Sequence, residues 1–233
     1  MSDTVLYAEK INKSYKSRRG THTVLSDLSF QAEEGKFYAI EGESGSGKST
    51  FLSILGGLQK SDDGEIVYRD CKLSELSDDE LTVLRRHDIV YVPQSQDVLP
   101  TLNVIDNIRI IDFFDGDSDS NPELGDTRLS LIVDQLGIQE LGNEYPAELS
   151  GGELRRLCIA RALYSDPKVI LADEPTNDLD KENREKLGDI FRQVADKGIS
   201  VVVVTHDSDL AAKADERLFL SDGKLKEKKI NKS

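Results

Sequence analysis

The chain has 233 residues, 37% hydrophobic and 32% charged, with a formal net charge of −14 and two cysteines, Cys71 and Cys158. That length accommodates one sizeable α/β domain or a core with an inserted subdomain, and the balance fits a globular chain rather than a disordered one. The acidity excludes a nonspecific nucleic-acid binder, and two distant thiols make neither a disulfide framework nor a zinc site.

The N-terminus, Met1-Ser2-Asp3-Thr4, lacks the basic and apolar regions of a signal peptide, so a cytosolic location is expected. Val5 to Ile11, His22 to Gln31 and Lys36 to Glu41 read as strands, with the turn Glu33-Glu34-Gly35 between the last two. The basic clusters Lys13 to Arg19 and Lys224 to Lys232 read as solvated surface, or as an edge near anionic lipid. Ser49 to Leu58 reads as a helix that ends at, or just past, Gly56-Gly57. Asp62-Asp63-Gly64 marks a turn and Glu65 to Tyr68 a strand. Ser77 with Glu80 makes a capping box ahead of a helix to about His87. Ile89 to Val92 is a buried strand. From Thr101 to about Leu163 the apolar spacing is helical, interrupted by the acidic, turn-rich segment Asp115 to Asn121. Strand and helix then alternate: Lys168 to Ala172, a helix from Lys181 to Lys197 closed by Gly198, and Ile199 to Val204. That last run is the longest apolar stretch and falls far short of the roughly 18 residues that span a bilayer. Continuous apolar strands indicate a parallel sheet covered on both faces. Arg217 to Leu220, a turn at Asp222-Gly223 and Lys224 to Lys226 make a closing hairpin. The expected organisation is an α/β core over 1–94 and 166–233, interrupted by a helical subdomain over 95–165.

Gly42-Glu43-Ser44-Gly45-Ser46-Gly47-Lys48-Ser49 matches the phosphate-loop pattern G-x-x-x-x-G-K-[ST]. Glycines let backbone N–H groups curl around phosphate oxygens, and the following helix aims its positive end at the same charge. Lys48 is expected on the β and γ phosphates, the Ser49 hydroxyl on Mg²⁺, and Thr50 beside the phosphates. The context agrees: a strand candidate precedes the loop and a helix candidate follows it. At the other end of the core, the apolar run from Lys168 ends in Asp173 and Glu174. Asp173 is placed to hold Mg²⁺ through its water shell, and Glu174 to take the proton of an attacking water.

Leu149-Ser150-Gly151-Gly152-Glu153 narrows the reading. Ser150 and Glu153 form a second capping box, and the glycine pair keeps the helix N-terminus approachable. One chain has no evident use for two γ-phosphate sites on separate helices, so the second suits ATP bound to another chain. The motif resembles the ABC signature, and it lies just upstream of the Asp173 strand, as in that family. The resemblance covers essentially the whole chain. It implies a P-loop NTPase: a RecA-like core with an N-terminal antiparallel β-subdomain and an inserted α-helical subdomain. It further implies that Tyr15 stacks on adenine, that Gln94 senses Mg²⁺ and the attacking water, and that His206 contacts the γ-phosphate. Asn177-Asp178-Leu179-Asp180 is similar to the D-loop, which puts Asp178 and Asp180 at a dimer interface, although Asn177 departs from the usual Ser or Gly. Gly42 to Lys60 and Pro93 to Ile108 are similar to lipoprotein-releasing and macrolide- or peptide-exporting ATPases. The resemblance therefore implies two copies closing around ATP and Mg²⁺, with Ser150, Gly151, Gly152 and Glu153 reaching the partner's nucleotide. It also implies an integral membrane permease, met near Val98-Leu99-Pro100, that holds the chain at the inner face of the cell membrane. Two other readings stay open: a signalling module on a membrane protein, and a soluble ABC ATPase of iron–sulfur assembly. A repair-type ATPase would need a long coiled coil between the motifs.

Overall fold

The computed structural model of the chain describes residues 4–17, 20–115 and 122–227. β1 (Thr4–Ser17) and β2 (Gly20–Glu33) pair antiparallel from Thr4↔Glu33 to Ser17↔Gly20. β1 outruns its apolar pattern, which ends at Ile11. Its polar end is held instead by pairing and by Asp62, whose carboxylate accepts from the Ser14 amide at 2.7 Å and the Lys13 ammonium at 3.0 Å. Lys13 of the first basic cluster is thus engaged, while Arg18, Arg19 and the end of the second cluster from Lys228 lie outside the described residues. β3 (Phe37–Gly42) leads through the glycine loop into α1 (Lys48–Leu55), which stops at Gly56. β4 (Asp63–Tyr68) and the short β5 (Cys71–Lys72) complete an antiparallel sheet of order β2-β1-β4-β5.

α2 (Asp78–His87) carries the expected capping box, and its first turn is acidic while its last is basic, as the helix dipole favours. β6 (Ile89–Val92) follows. The helical region comprises α3 (Val104–Ile108), α4 (Ile110–Asp115), α5 (Pro122–Gln135) and α6 (Gly151–Tyr164). Of the acidic segment Asp115 to Asn121, Asp115 ends α4 and the rest lies outside the described residues. The chain closes with β7 (Val169–Asp173), α7 (Lys181–Asp196), β8 (Ser200–Val204), α8 (Ser208–Ala212), β9 (Glu216–Ser221) and β10 (Lys224–Glu227). The final turn has Asp222 and Gly223 both at positive φ, 52° and 71°, the geometry that suits a tight hairpin.

The second sheet has the order β10-β9-β3-β8-β7-β6, with five strands mutually parallel and β10 antiparallel at the edge. Period-two alternation sorts its side chains. Tyr38, Ile40, Leu171 and Val202 face α1 and the antiparallel sheet, packing with Phe51, Leu52 and Phe30. Phe37, Ile170, Val201 and Val203 face α6 and α7, packing with Leu157, Phe191 and Val194. Each such buried side chain contributes about 1.5–3 kcal/mol of transfer free energy. Phe30 lies edge-on to Tyr38 and Phe51, at 5.3 and 5.8 Å between ring centroids, so one side chain ties both sheets to α1. This is the RecA-like P-loop fold with an N-terminal β-subdomain and an inserted helical subdomain.

The insert is fastened through Asn107, which is fully buried. Its amide donates to the carbonyls of Leu99, Leu102 and Asn103 and accepts from the Leu99 amide. Arg161 of α6 donates to the Asn107 side chain and to the Asp97 carbonyl. The segment Val98-Leu99-Pro100 is therefore held in a fixed turn against α3 and α6.

Candidate active site

Three parallel strands end side by side: β3 next to β8, and β8 next to β7, with Ile40↔Val204 and Asp173↔Val204 in register. The glycine loop, Asp173-Glu174 and Thr205-His206 all emerge there, at the carboxyl edge where open α/β sheets bind ligands.

In the loop, Gly47 has φ 100°, and a Cβ added to it would meet Val24 Cγ1 at 2.6 Å. Gly42 lies so near Leu220 that a Cβ would fall 2.6 Å from its carbonyl oxygen. Side chains at either position would deform the cradle. No side chain caps the N-terminus of α1, and its first turn holds no acid, so the helix presents open N–H groups to an anion. Lys48 is buried and donates to the carbonyls of Gly42 and Glu43 at 2.9 and 3.0 Å. No carboxylate among the described residues pairs with it, so its charge is left for a ligand. Ser49 stands exposed in the first turn, Thr50 is half-buried, and the Ser46 hydroxyl is buried without a partner. Exposed Ser44 and Gly45 line a groove of about 640 Å³ on the His22, Thr23 and Asp222 side of the loop. Lys48, Asp173 and Glu174 do not line it, so the reactive groups face another side.

Asp173 is 3% exposed; the Tyr91 hydroxyl donates to its Oδ2 at 3.3 Å, while Oδ1 is buried with no hydrogen-bond partner. Such an oxygen is costly unless a ligand meets it, and it suits a hydrated divalent cation. With Ser49 as a second oxygen, these residues fit Mg²⁺, whose remaining positions would fall to phosphate and water. Glu174 sits in the left-handed region at φ 46°. Its carboxylate Oε2 accepts from the His206 amide at 3.2 Å and lies 2.8 Å from His206 Nδ1. The imidazole itself stands out into solvent, 69% exposed. Glu174 and His206 thus form one unit across the β7 and β8 ends.

The other expected residues lie around this edge. Tyr15 pairs with His22 at the end of β1, is 41% exposed, and accepts from Gln59 at 2.7 Å. The Lys13 ammonium lies 5.8 Å from its ring centroid. Gln94 is exposed just past β6, and its carbonyl accepts from Arg155. At α6, the Ser150 hydroxyl accepts from the Glu153 amide at 3.4 Å, and the Glu153 carboxylate accepts from the Ser150 amide at 2.7 Å. The Ser150 hydroxyl, which also donates to that carboxylate at 2.7 Å, and the Ser150 amide hold the Glu153 carboxyl below the usual range. A Cβ on Gly151 or Gly152 would meet only ordinary contacts at 3.5 Å, so packing within this chain does not demand the glycine pair. Asp178 takes φ 65° beside Gly151, and Asp180 caps α7 by accepting from the Asn183 amide at 2.8 Å.

Three side chains were not anticipated from the sequence. Arg155 is fully buried and donates to the carbonyls of Pro93 and Gln94, locking the Gln94 backbone to α6. It falls on the helical stripe Arg155, Cys158, Ile159 and Ala162, and a lone charge on an apolar stripe was the available signal. Gln96 donates to the Gly151 carbonyl at 2.9 Å and to Asp178 at 3.4 Å, joining three motifs. Tyr91 reaches Asp173 across paired strands, which no local pattern reveals.

Residues 25–177 match the ABC transporter family. The chain is 36% identical over 226 residues to the lipoprotein-releasing system ATP-binding protein LolD of Shewanella oneidensis, covering 97% of each chain. It is 36% identical over 224 residues to the macrolide export ATP-binding/permease protein MacB of Bartonella quintana, covering 96% of this chain and 34% of that one. A dimeric structure of the ABC transporter cassette MJ0796 of Methanocaldococcus jannaschii superposes with TM-score 0.88 at 33% identity, covering 95% of this chain and 98% of the other. A second MJ0796 dimer, in a post-hydrolysis state bound to ADP and Pi, matches equally.

Proposed function

This chain belongs to the ABC transporter family as an ATP-binding and hydrolysing subunit, and from that premise we propose that two copies close face to face around two ATP molecules to drive a membrane permease. The observation that carries the reading is Glu174, buried beside the glycine cradle and held by His206 where β7 and β8 end.

In this reading the open N–H groups of α1 and the Lys48 ammonium bind the β and γ phosphates, and Tyr15 stacks on adenine. Ser49 and Asp173, with Gln94, would hold Mg²⁺, which when bound neutralises charge between the β and γ phosphates. Glu174 accepts the proton of the attacking water, and His206 orients that carboxylate and reaches the γ-phosphate. Ser150, Gly151 and Gly152 of the partner subunit, with Glu153 as their brace, meet the same γ-phosphate from the other side. Asp178 and Asp180 line the seam between copies. Release of phosphate removes the shared anion, and the halves part. Residues 1–94 and 166–233 act as the core, and 95–165 as the lever that carries the motion to the permease.

The likeness to LolD and MacB favours an exporter or extruder of lipoprotein, peptide or drug. No helix among the described residues is long and apolar enough to cross a membrane, so attachment at the cytoplasmic face would come through the permease. The test is sedimentation of Glu174→Gln with and without Mg-ATP. An ATP-dependent dimer is expected. A strictly monomeric protein at saturating nucleotide, even alongside its permease, overturns the reading.

A further inference from the structure

The Asp173 carboxylate is asymmetric. One oxygen is met by Tyr91, and the other has no partner. Sheet register explains how Tyr91 comes to be there. Tyr91 on β6 stands opposite Leu171 on β7, and Asp173 is two residues further along the same face. Two residues of strand advance about 6.6 Å, which is the reach of a tyrosine side chain from its backbone. The ring packs at the rim of the core on the α1 side, its Cδ2 3.8 Å from where a Cβ on Gly56 would stand. Its hydroxyl therefore reaches Asp173 at the end of β7, on the α1 side of the sheet.

We propose that Tyr91 is a positioning residue for the metal: its hydroxyl engages one Asp173 carboxylate oxygen and thereby commits the other to the hydrated Mg²⁺ of the bound nucleotide. A free carboxylate rotates about its last torsion and presents either oxygen. A neutral donor fixed to one oxygen removes that freedom, and outer-shell partners of this kind set metal affinity. A phenylalanine would fill the same space against α1 but leave Asp173 free to turn.

The proposal rests on the reading of Asp173 as the metal-side carboxylate, and the test separates the two. Tyr91→Phe and wild type are titrated with Mg²⁺ at fixed ATP. The midpoint is read twice: by ATP-dependent thermal stabilisation in the Glu174→Gln background, and by phosphate release in the Glu174 enzyme. The expected result is a Mg²⁺ midpoint raised about tenfold in both readouts. The KM for ATP at saturating Mg²⁺ and the melting temperature without nucleotide stay unchanged. A Tyr91→Phe midpoint within twofold of wild type overturns the role of Tyr91. So does a fall in ligand-free melting temperature with no change in midpoint, which would mark the hydroxyl as structural alone. Wild-type protein whose nucleotide binding ignores Mg²⁺ overturns the parent reading instead.

Discussion

α2 and α6 begin with the same device and present opposite surfaces. At α2 the Ser77 hydroxyl accepts from the Glu80 amide at 3.3 Å and the Glu80 carboxylate accepts from the Ser77 amide at 2.8 Å. At α6 the corresponding distances for Ser150 and Glu153 are 3.4 and 2.7 Å. The next two residues decide what each N-terminus can meet. Asp78 and Asp79 add two carboxylates to the positive end of the α2 dipole, whereas at α6 Gly151 and Gly152 carry no side chain and the only first-turn acid is Glu153, turned back onto Ser150. A capping box is thus a local stabiliser in both helices, and only the one followed by glycines is left open to an external anion. α1 takes this furthest, with no side-chain cap and a left-handed glycine at its start.

The largest way to sharpen the contrast leaves the anion sites intact and removes the chemistry. Glu174→Gln is expected to lower turnover about a thousandfold with ATP binding retained, measured by phosphate release and equilibrium binding. A near wild-type rate would remove Glu174 as the base. Next, Ser150→Arg places bulk on the open α6 end. In the Glu174→Gln background it should weaken Mg-ATP-dependent dimerisation about a hundredfold by sedimentation, while monomer ATP affinity holds. An unchanged dimer would show that α6 does not serve a partner's nucleotide. Tyr15→Ala should weaken ATP binding about tenfold in a nucleotide-fluorescence titration, and Tyr15→Phe should keep most of the affinity, because stacking needs the ring and not the bond to Gln59. The smallest effect is the most direct test of the pair. Ser77→Ala and Ser150→Ala should each cost about 1 kcal/mol, or roughly 2–4 °C in melting temperature. Only Ser150→Ala should also weaken the ATP-dependent dimer; equal behaviour in both assays would break the comparison.

Most of the site's membership was readable before the fold, because each motif is a short stretch whose chemistry depends on neighbours in sequence. A glycine loop ahead of a helix, or serine three residues before glutamate, specifies its local geometry. The structure brings the loop, Asp173, Glu174 and His206 of the candidate site to one sheet edge. Boundaries were less legible where burial was not the cause. β1 continues through Asn12 to Ser17 because β2 and Asp62 hold it there, and neither leaves an apolar pattern. Tyr91 and Gln96 were invisible as site residues, and Arg155 showed only as a charge on an apolar stripe, because their partners are distant: Asp173 is 82 positions from Tyr91, and Gln94 is 61 from Arg155.

The amino-acid sequence alone determined the kinds of elements, the phosphate cradle, the two capping boxes and the order of the motifs, since all of these follow from interactions within a few residues. Tertiary structure decided the rest. It chose the strand order that sets β3 between β8 and β9, the meeting of Glu174 with His206, the burial of Arg155 under the Gln94 backbone, and the lopsided environment of Asp173. Each of those depends on which strands and helices become neighbours, and that is settled by burying two apolar faces of one sheet at once, a condition on the whole chain and on no single segment of it.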